Sequence, residues 1–226
     1  MTRAVLQTRS RVVPRMDPLG NGIRGTREVV RSRLDVKSWT EKPPSADEVR
    51  PAQCPCCGAA SRPMGGRLVL HGHGRRERQL RGPLAPGEPP VVRLFFVRRY
   101  RCTRCRALTT VAPAETVSRR LFSGPAIALA LALFGVMGLC LPAVRKHVSP
   151  WAVVGPTAAT GWGTVERWVD AARAEALFPC ARRAPAAWTD RQVAERVATT
   201  LAALAPLGTG PPDIATCAFL GAARAG

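Results

Sequence analysis

Cys54-Pro55-Cys56-Cys57-Gly58 and Cys102-Thr103-Arg104-Cys105 are the stretches on which the reading of the chain turns. Each contains a C-x-x-C, a spacing that lets one tight turn present two sulfurs to a single ion, and zinc takes four such soft ligands in a tetrahedron. Cys54, Cys57, Cys102 and Cys105 are therefore the candidate metal ligands, with Zn2+ the expected cofactor. Gly58 follows the first pair where a tight turn needs a residue tolerant of positive φ. Cys56 is expected to be the uncommitted middle residue, although it offers the first turn an alternative sulfur.

Between the pairs, Arg67-Leu68-Val69-Leu70-His71 reads as a strand and Val91-Val92-Arg93-Leu94-Phe95-Phe96-Val97-Arg98-Arg99-Tyr100 as a longer one. Gly82-Pro83-Leu84-Ala85-Pro86-Gly87 is the intervening loop. Antiparallel strands carrying both cysteine pairs at one end give a zinc ribbon. So small a sheet buries too little apolar surface to fold alone, and metal binding is expected to supply the missing stability. His71 and His73 lack a ligand-like spacing to the cysteines and read as exposed or half-packed strand residues. The chain holds eight cysteines; with no secretory signal at its start, reduced thiols are expected rather than a disulfide framework. A redox C-x-x-C needs a βαβ context that this sequence lacks.

Charge points to the partner. Across 226 residues, 34 Lys and Arg oppose 15 Asp and Glu, a formal net charge of +19. A hydrophobic content of 46% excludes disorder throughout, and the length excludes a large enzyme fused to a binding module. Chains this cationic attract polyanions. A GC-rich genome also favours Arg and Ala, but it does not explain their clustering. Residues 62–106 carry twelve Arg against Glu77 and Glu88. Arg75, Arg76, Arg78, Arg98, Arg99 and Arg101 are the candidate phosphate contacts, since guanidinium presents a planar fork of donors. Residues 1–50 carry eight Arg from Arg3 to Arg33 against Asp17 and Glu28 without a sustained apolar period. They read as a disordered basic arm ending in a linker, with Met16 an alternative start and a transit peptide an alternative reading of the arm.

From Gly124 to Val144 no residue is charged. A helix through all of this run would match a bilayer core. Ser123 as N-cap, Pro125 in the first turn, and Gly135, Gly138 and Pro142 favour instead a helix that stops near Leu139 and lies in a soluble core. Residues 141–149 read as a short second helix. Gly161, Trp162 and Gly163 form a turn before a third helix, capped by Thr164, with Val165, Trp168, Val169 and Ala172 on one stripe. That pattern fits equally the recognition helix of a helix-turn-helix or an ordinary amphipathic helix of a three-helix domain. In the first case Thr164, Arg167 and Glu166 approach base edges. Thr189-Asp190 cap a helix over 191–205 with Val193, Val197 and Leu201 inward. The tail from Gly208 is loop-like, with an apolar patch at 214–220.

Cys54-Pro55-x-Cys57-Gly58, His71-Gly72, Arg98-Arg99-Tyr100-Arg101-Cys102-x-x-Cys105, Ser123-Gly124-Pro125 and Thr164-Val165-Glu166-Arg167-Trp168 occur in that order. Together they resemble the zinc-binding and helix-turn-helix front half of bacterial insertion-sequence transposases, or a small free-standing relative of that half, over roughly residues 50–178. The resemblance implies binding to the ends of a mobile element or a related DNA site, with a separate transposase subunit as a further partner. It stops short of the catalytic core: after Phe178 the acids are Asp190, Glu195 and Asp213, with no strands to place them as a metal-binding triad.

The expected architecture is thus α+β: a disordered basic arm and linker (1–50), a small antiparallel zinc ribbon (51–118), a helical helix-turn-helix-like domain (119–178), and a C-terminal helix and tail (179–226). The expected function is zinc-dependent binding of duplex DNA in the cytoplasm, without catalysis or a small-molecule substrate. The alternatives are a membrane protein with a cytoplasmic ribbon and one span at 124–144, and an RNA-binding ribbon whose Phe95 and Tyr100 stack on bases.

Overall fold

Val29 and Val30, flanked by Arg27, Glu28 and Arg31, are enough β-former to extend the chain, and they begin the sheet rather than a flexible arm. In this computed structural model the described residues are 27–151, 162–206 and 213–225. Residues 1–26 of the expected basic arm, Gly161 of the expected turn, and 207–212 at the start of the tail lie outside them.

The described residues form four strands and six helices: β1 (Arg27–Arg31), α1 (Val36–Glu41), β2 (Leu70–Gly82), β3 (Val91–Cys102), β4 (Leu108–Ala112), α2 (Gly124–Gly135), α3 (Leu141–Val148), α4 (Thr164–Arg173), α5 (Asp190–Ala202) and α6 (Ile214–Ala222). The sheet order is β1-β4-β3-β2. β4 runs antiparallel to β3, with Tyr100 opposite Thr109, and parallel to β1, with Val30 opposite Val111. Two compact units result: one holds the described residues up to Arg78 with Leu94–Ala114, the other Gln79–Arg93 with the described residues from Glu115 onward. β2 and β3 run from one unit into the other. The helices of 119–178 and those of 179–226, expected as separate pieces, share the second unit.

In the first unit, the expectation of disorder up to residue 50 is corrected for residues 27–50. Asp35 caps α1 by accepting from the Ser38 amide, and α1 buries Val36 and Trp39. The segment after it is bonded to β3. The Trp39 indole donates to the Phe96 carbonyl at 2.9 Å, Arg98 Nε to Pro44 O at 2.7 Å, and the Tyr100 hydroxyl to Ala46 O at 2.6 Å. Arg50 lies over the Tyr100 ring, 5.6 Å from its centroid, and donates to Leu70 O.

The second unit is built around α2. Ser123 caps it, accepting from the Ala126 amide at 3.0 Å, and Pro125 sits in the first turn. α2 is buried from Gly124 to Ala128 and again from Ala130 to Leu133, because α5 and α6 pack on it while α3 and α4 lean against it. This explains an apolar run without a stripe: α2 is the centre of a helical layer. The alternative of one span at 124–144 is overturned, since α2 ends at Gly135 and a separate helix starts at Leu141. No helix among the described residues is long and apolar enough to cross a membrane. Arg191 of α5 closes the end of α2, donating to Phe134 O at 2.6 Å and Leu139 O at 3.3 Å, with its guanidinium 4.5 Å from the Phe134 ring centroid.

α5 follows its expected cap: Thr189 and Gln192 form a reciprocal capping box, and Val193, Val197 and Leu201 are buried. The tail is corrected from loop to helix, with Asp213 accepting from the Thr216 amide at 2.9 Å. Gly221 is where α6 meets α5: a Cβ built there falls 1.7 Å from Leu201 O. At Gly135 a Cβ falls 2.4 Å from the Glu195 amide nitrogen, so α2 and α5 also touch backbone to backbone.

Two outcomes check this packing. Gly221→Ala is expected to destabilise the helical unit by about 1–3 kcal/mol or more, because α5 and α6 must separate; an unchanged denaturation midpoint contradicts the contact. Tyr100 is the chain's one tyrosine, and burial pushes its hydroxyl up to about 12. Because the folded value is raised, its contribution is complete below the unfolded value near 10 and is lost as pH rises from there toward 12. Tyrosinate absorbance should therefore titrate near 12 in the folded chain and near 10 in denaturant; equal midpoints contradict the burial.

Candidate metal centre

The two C-x-x-C turns are near copies of each other. In the first, the Cys54 amide donates to Ala59 O at 2.8 Å and the Gly58 amide to Cys54 O at 2.9 Å. In the second, the Cys102 amide donates to Ala107 O at 3.0 Å and the Arg106 amide to Cys102 O at 2.9 Å. Gly58 and Arg106 both take positive φ, 70° and 62°. The turn thus demands a left-handed residue after its second cysteine, which glycine meets freely in one copy and an exposed arginine meets under strain in the other. The second turn closes β3 and leads into β4, while the first is tied in by the bridge between Gln53 and Ala60.

These turns bring all four expected ligands together. The Sγ atoms of Cys54, Cys57, Cys102 and Cys105 lie within 4.8 Å of one another. Cys54 to Cys105 is 3.7 Å and Cys57 to Cys102 is 3.8 Å. A tetrahedral ion with sulfur at about 2.3 Å has edges of about 3.8 Å, so the two closest approaches already match a ligand shell. Cys54 and Cys102 are buried, Cys105 is half-buried and Cys57 exposed. The four cysteines are positioned to hold a metal ion. Cys56 is not one of the four; its amide and that of Cys57 donate to Cys54 sulfur. His71 also stands apart, its Nε2 2.8 Å from Leu68 O.

The sulfurs differ in their readiness to ionise. Burial pushes Cys54 up to about 11 against the pull of its two amide donors. Burial raises Cys105 as well, and the hydrogen bonds its own S–H donates to the neighbouring sulfurs add to the rise. At Cys102 burial also pushes upward, but the amides of Cys105 and Arg104 and the thiols of Cys105 and Cys54 together outweigh it, leaving the group below its ordinary value. Amide donors already aimed at sulfur favour thiolate, and a cation would supply the rest.

The candidate nucleic-acid residues divide between the two units. On β2, Arg75 and Arg76 are exposed and Arg78 is half-buried; on β3, Arg101 is exposed and Arg98 and Arg99 are half-buried. Arg98 spends its Nε on Pro44 O and helps hold the first unit. Burial, with Arg76 beside it, lowers Arg78 from the usual arginine value. The exposed Arg104, on the second turn itself, belongs to the same cationic set and was signalled only by its place inside the C-x-x-C. In the second unit Arg167 is exposed and donates to Thr164 Oγ1 at 3.0 Å. Thr164 begins α4 instead of capping it; Gly163 holds the cap position. Val165, Trp168 and Val169 are buried as the stripe requires, and Trp168 meets Phe122 and Trp162 edge-on at 5.2 and 5.5 Å. Residues 149–163 separate α3 from α4 in the chain, and 152–161 of them lie outside the described residues.

Base stacking by Phe95 and Tyr100 is overturned. Both are buried, Phe95 at 4% and Tyr100 at 0% exposure, while Phe96 between them is 49% exposed. Of the late acids, Asp190 pairs with Arg173 at 2.9 Å, Asp213 caps α6, and Glu195 is exposed on α5.

Comparison with protein-family models, curated proteins and solved structures finds no match to this chain.

The turn geometry has a direct check. Gly58→Ala meets no atom within 4 Å, so its expected cost of about 1–2 kcal/mol is conformational. Arg106→Gly removes the corresponding strain and should not destabilise the metal-bound protein. Equal destabilisation by both, in denaturant melts, contradicts the paired-turn description.

Proposed function

We propose that this chain is a zinc-dependent DNA-binding protein, similar in role to the DNA-binding half of a transposase and binding without cutting. The observation that carries the reading is the charge on the strands attached to the cysteine cluster. Residues 70–78 and 94–104 hold Arg75, Arg76, Arg78, Arg98, Arg99, Arg101 and Arg104 against Glu77 alone. A solvated face ordinarily mixes signs; one sign on two adjacent strands repels itself unless phosphates neutralise it.

Zinc is the metal that the donor set favours: four cysteine sulfurs, no oxygen donor, and tetrahedral spacing. Its role is to lock the two turns together and hold the arginine-bearing strands rigid, so that side chains meet phosphates without first being ordered. The α4 surface offers a second, independent element. Glu166 and Arg167 are exposed in its first turn, away from the buried Val165, Trp168 and Val169, with half-buried Thr164 accepting from Arg167, which suits base-edge contacts in a major groove. A ribbon and a helix each supplying part of a DNA interface is the arrangement that the resemblance to transposase front halves implies.

The test is an anisotropy titration of metal-loaded protein against a labelled duplex over a range of salt. Log affinity should fall linearly with log salt, by about 0.9 per phosphate neutralised. Replacing Arg75, Arg76 and Arg101 together with alanine should reduce that slope by roughly 2–3. Cys102→Ser should lose both the metal and tight binding. A flat salt response, or a triple variant with an unchanged slope, contradicts the electrostatic reading; full metal occupancy in Cys102→Ser contradicts the shared site.

A further inference from the structure

Leu94 and Phe96 stand two residues apart on β3 and thus on one face of the strand, and both are exposed, at 55% and 49%. Phe96 is not a loose surface residue. Its carbonyl accepts the Trp39 indole hydrogen bond at 2.9 Å, and its neighbours Phe95 and Val97 are buried, so the backbone that carries the ring is fixed. The Arg75 guanidinium lies 5.8 Å from the ring centroid. The same stretch of β2 carries Arg75, Arg76 and Arg78 against Glu77 alone, and Arg98 shares the Phe96 face of β3, while Arg99 and Arg101 alternate to the other face.

A flat apolar ring held in a field of positive charge suits a particular chemistry: a planar, uncharged group carried on a polyanion. A paired base within a duplex offers its edge to a groove, and phenylalanine has no donor or acceptor with which to read an edge. An unpaired base offers its face, which stacks on an aromatic ring whatever its identity, while arginines take the adjoining phosphates. We propose that Phe96, flanked by Leu94 and Arg75, is a stacking platform for an unpaired nucleobase, so that this face binds single-stranded or locally opened DNA. This deepens the DNA-binding reading of the same strands and rests on it. The aromatic residues that hairpin composition alone nominated, Phe95 and Tyr100, are buried in the fold; the stacking chemistry moves to the ring between them.

The experiment uses the full metal-loaded chain and two probes of the same sequence, a single strand with a central 2-aminopurine and its fully paired duplex. Wild type should quench the 2-aminopurine on binding the single strand. Phe96→Leu, which keeps an apolar side chain but removes the ring face, should weaken single-strand binding about tenfold, abolish the quench, and leave duplex affinity within about twofold. Phe96→Tyr should restore both signals. Metal content reports whether each variant is folded, and the wild-type quench is itself a test that needs no variant. Absence of quenching by wild type, wild-type single-strand affinity in Phe96→Leu, or equal losses on both probes overturns the stacking platform while leaving duplex binding standing. A concentration-dependent dimer in sedimentation that Phe96→Leu dissolves assigns the face to a second copy of the chain and also overturns it. Failure of wild type to bind either probe removes the DNA-binding reading together with this one.

Discussion

Four sulfurs from two turns, with Cys57 and Cys102 45 positions apart in the chain, converge to within 4.8 Å. In the first unit both C-x-x-C turns end at that convergence. Thiols at this separation gain little from one another, and thiolates repel; only a shared cation turns the cluster into a net attraction. The protein's part is to prepare the site. Each turn bends the chain through a left-handed residue and aims backbone amides at sulfur, while the ladder between β3 and β4 fixes where the second turn emerges. A small sheet with so many exposed arginines has little apolar surface to spare, and an ion bound at the cysteines would offset that shortage by closing a loop of this length.

The second unit solves its stability problem by a different route. Alanines at 126, 128, 130 and 132 keep α2 slim and let α5 and α6 approach closely. Glycines at 135 and 221 bring backbone against backbone, and a cluster of Phe122, Trp162 and Trp168 fills the space beside α4. Surface arginines are put to structural use here as well: Arg191 satisfies carbonyls at the end of α2, and Arg81 lies over the Trp151 ring, 4.2 Å from its centroid. A high arginine content is therefore not all available for binding. Arg98 and Arg50 in the first unit make the same point, since both are committed to carbonyls of their own unit.

Local chemistry was legible in the sequence; distant pairing was not. The two C-x-x-C turns, the Ser123 and Thr189 caps, and the Val165-Trp168-Val169 stripe each depend on residues within a turn or two of each other and could be read directly; that the two turns meet rested on the tetrahedral demand of a shared ion. β1 could not, because its partner β4 lies some eighty positions away and one buried valine among charged neighbours carries no periodic signal. Leu94-Phe95-Phe96-Val97 announces a strand but not its inward face, and the reading that chose Phe95 and Tyr100 as exposed was inverted by what packs on β3. Gly221 looks like a helix breaker in isolation; in the fold it is the residue that lets α6 dock. The cationic strands were visible as composition, but which arginines face solvent required the contacts of residues 36–50.

The central claim is that one ion is held by all four cysteine sulfurs, and X-ray absorption at the zinc edge of the purified, metal-loaded protein measures this most directly. Four sulfur neighbours at about 2.3 Å, with no nitrogen or oxygen in the first shell, is the expected result. A shell of two sulfurs completed by lighter atoms, or protein that retains no stoichiometric zinc, would contradict it.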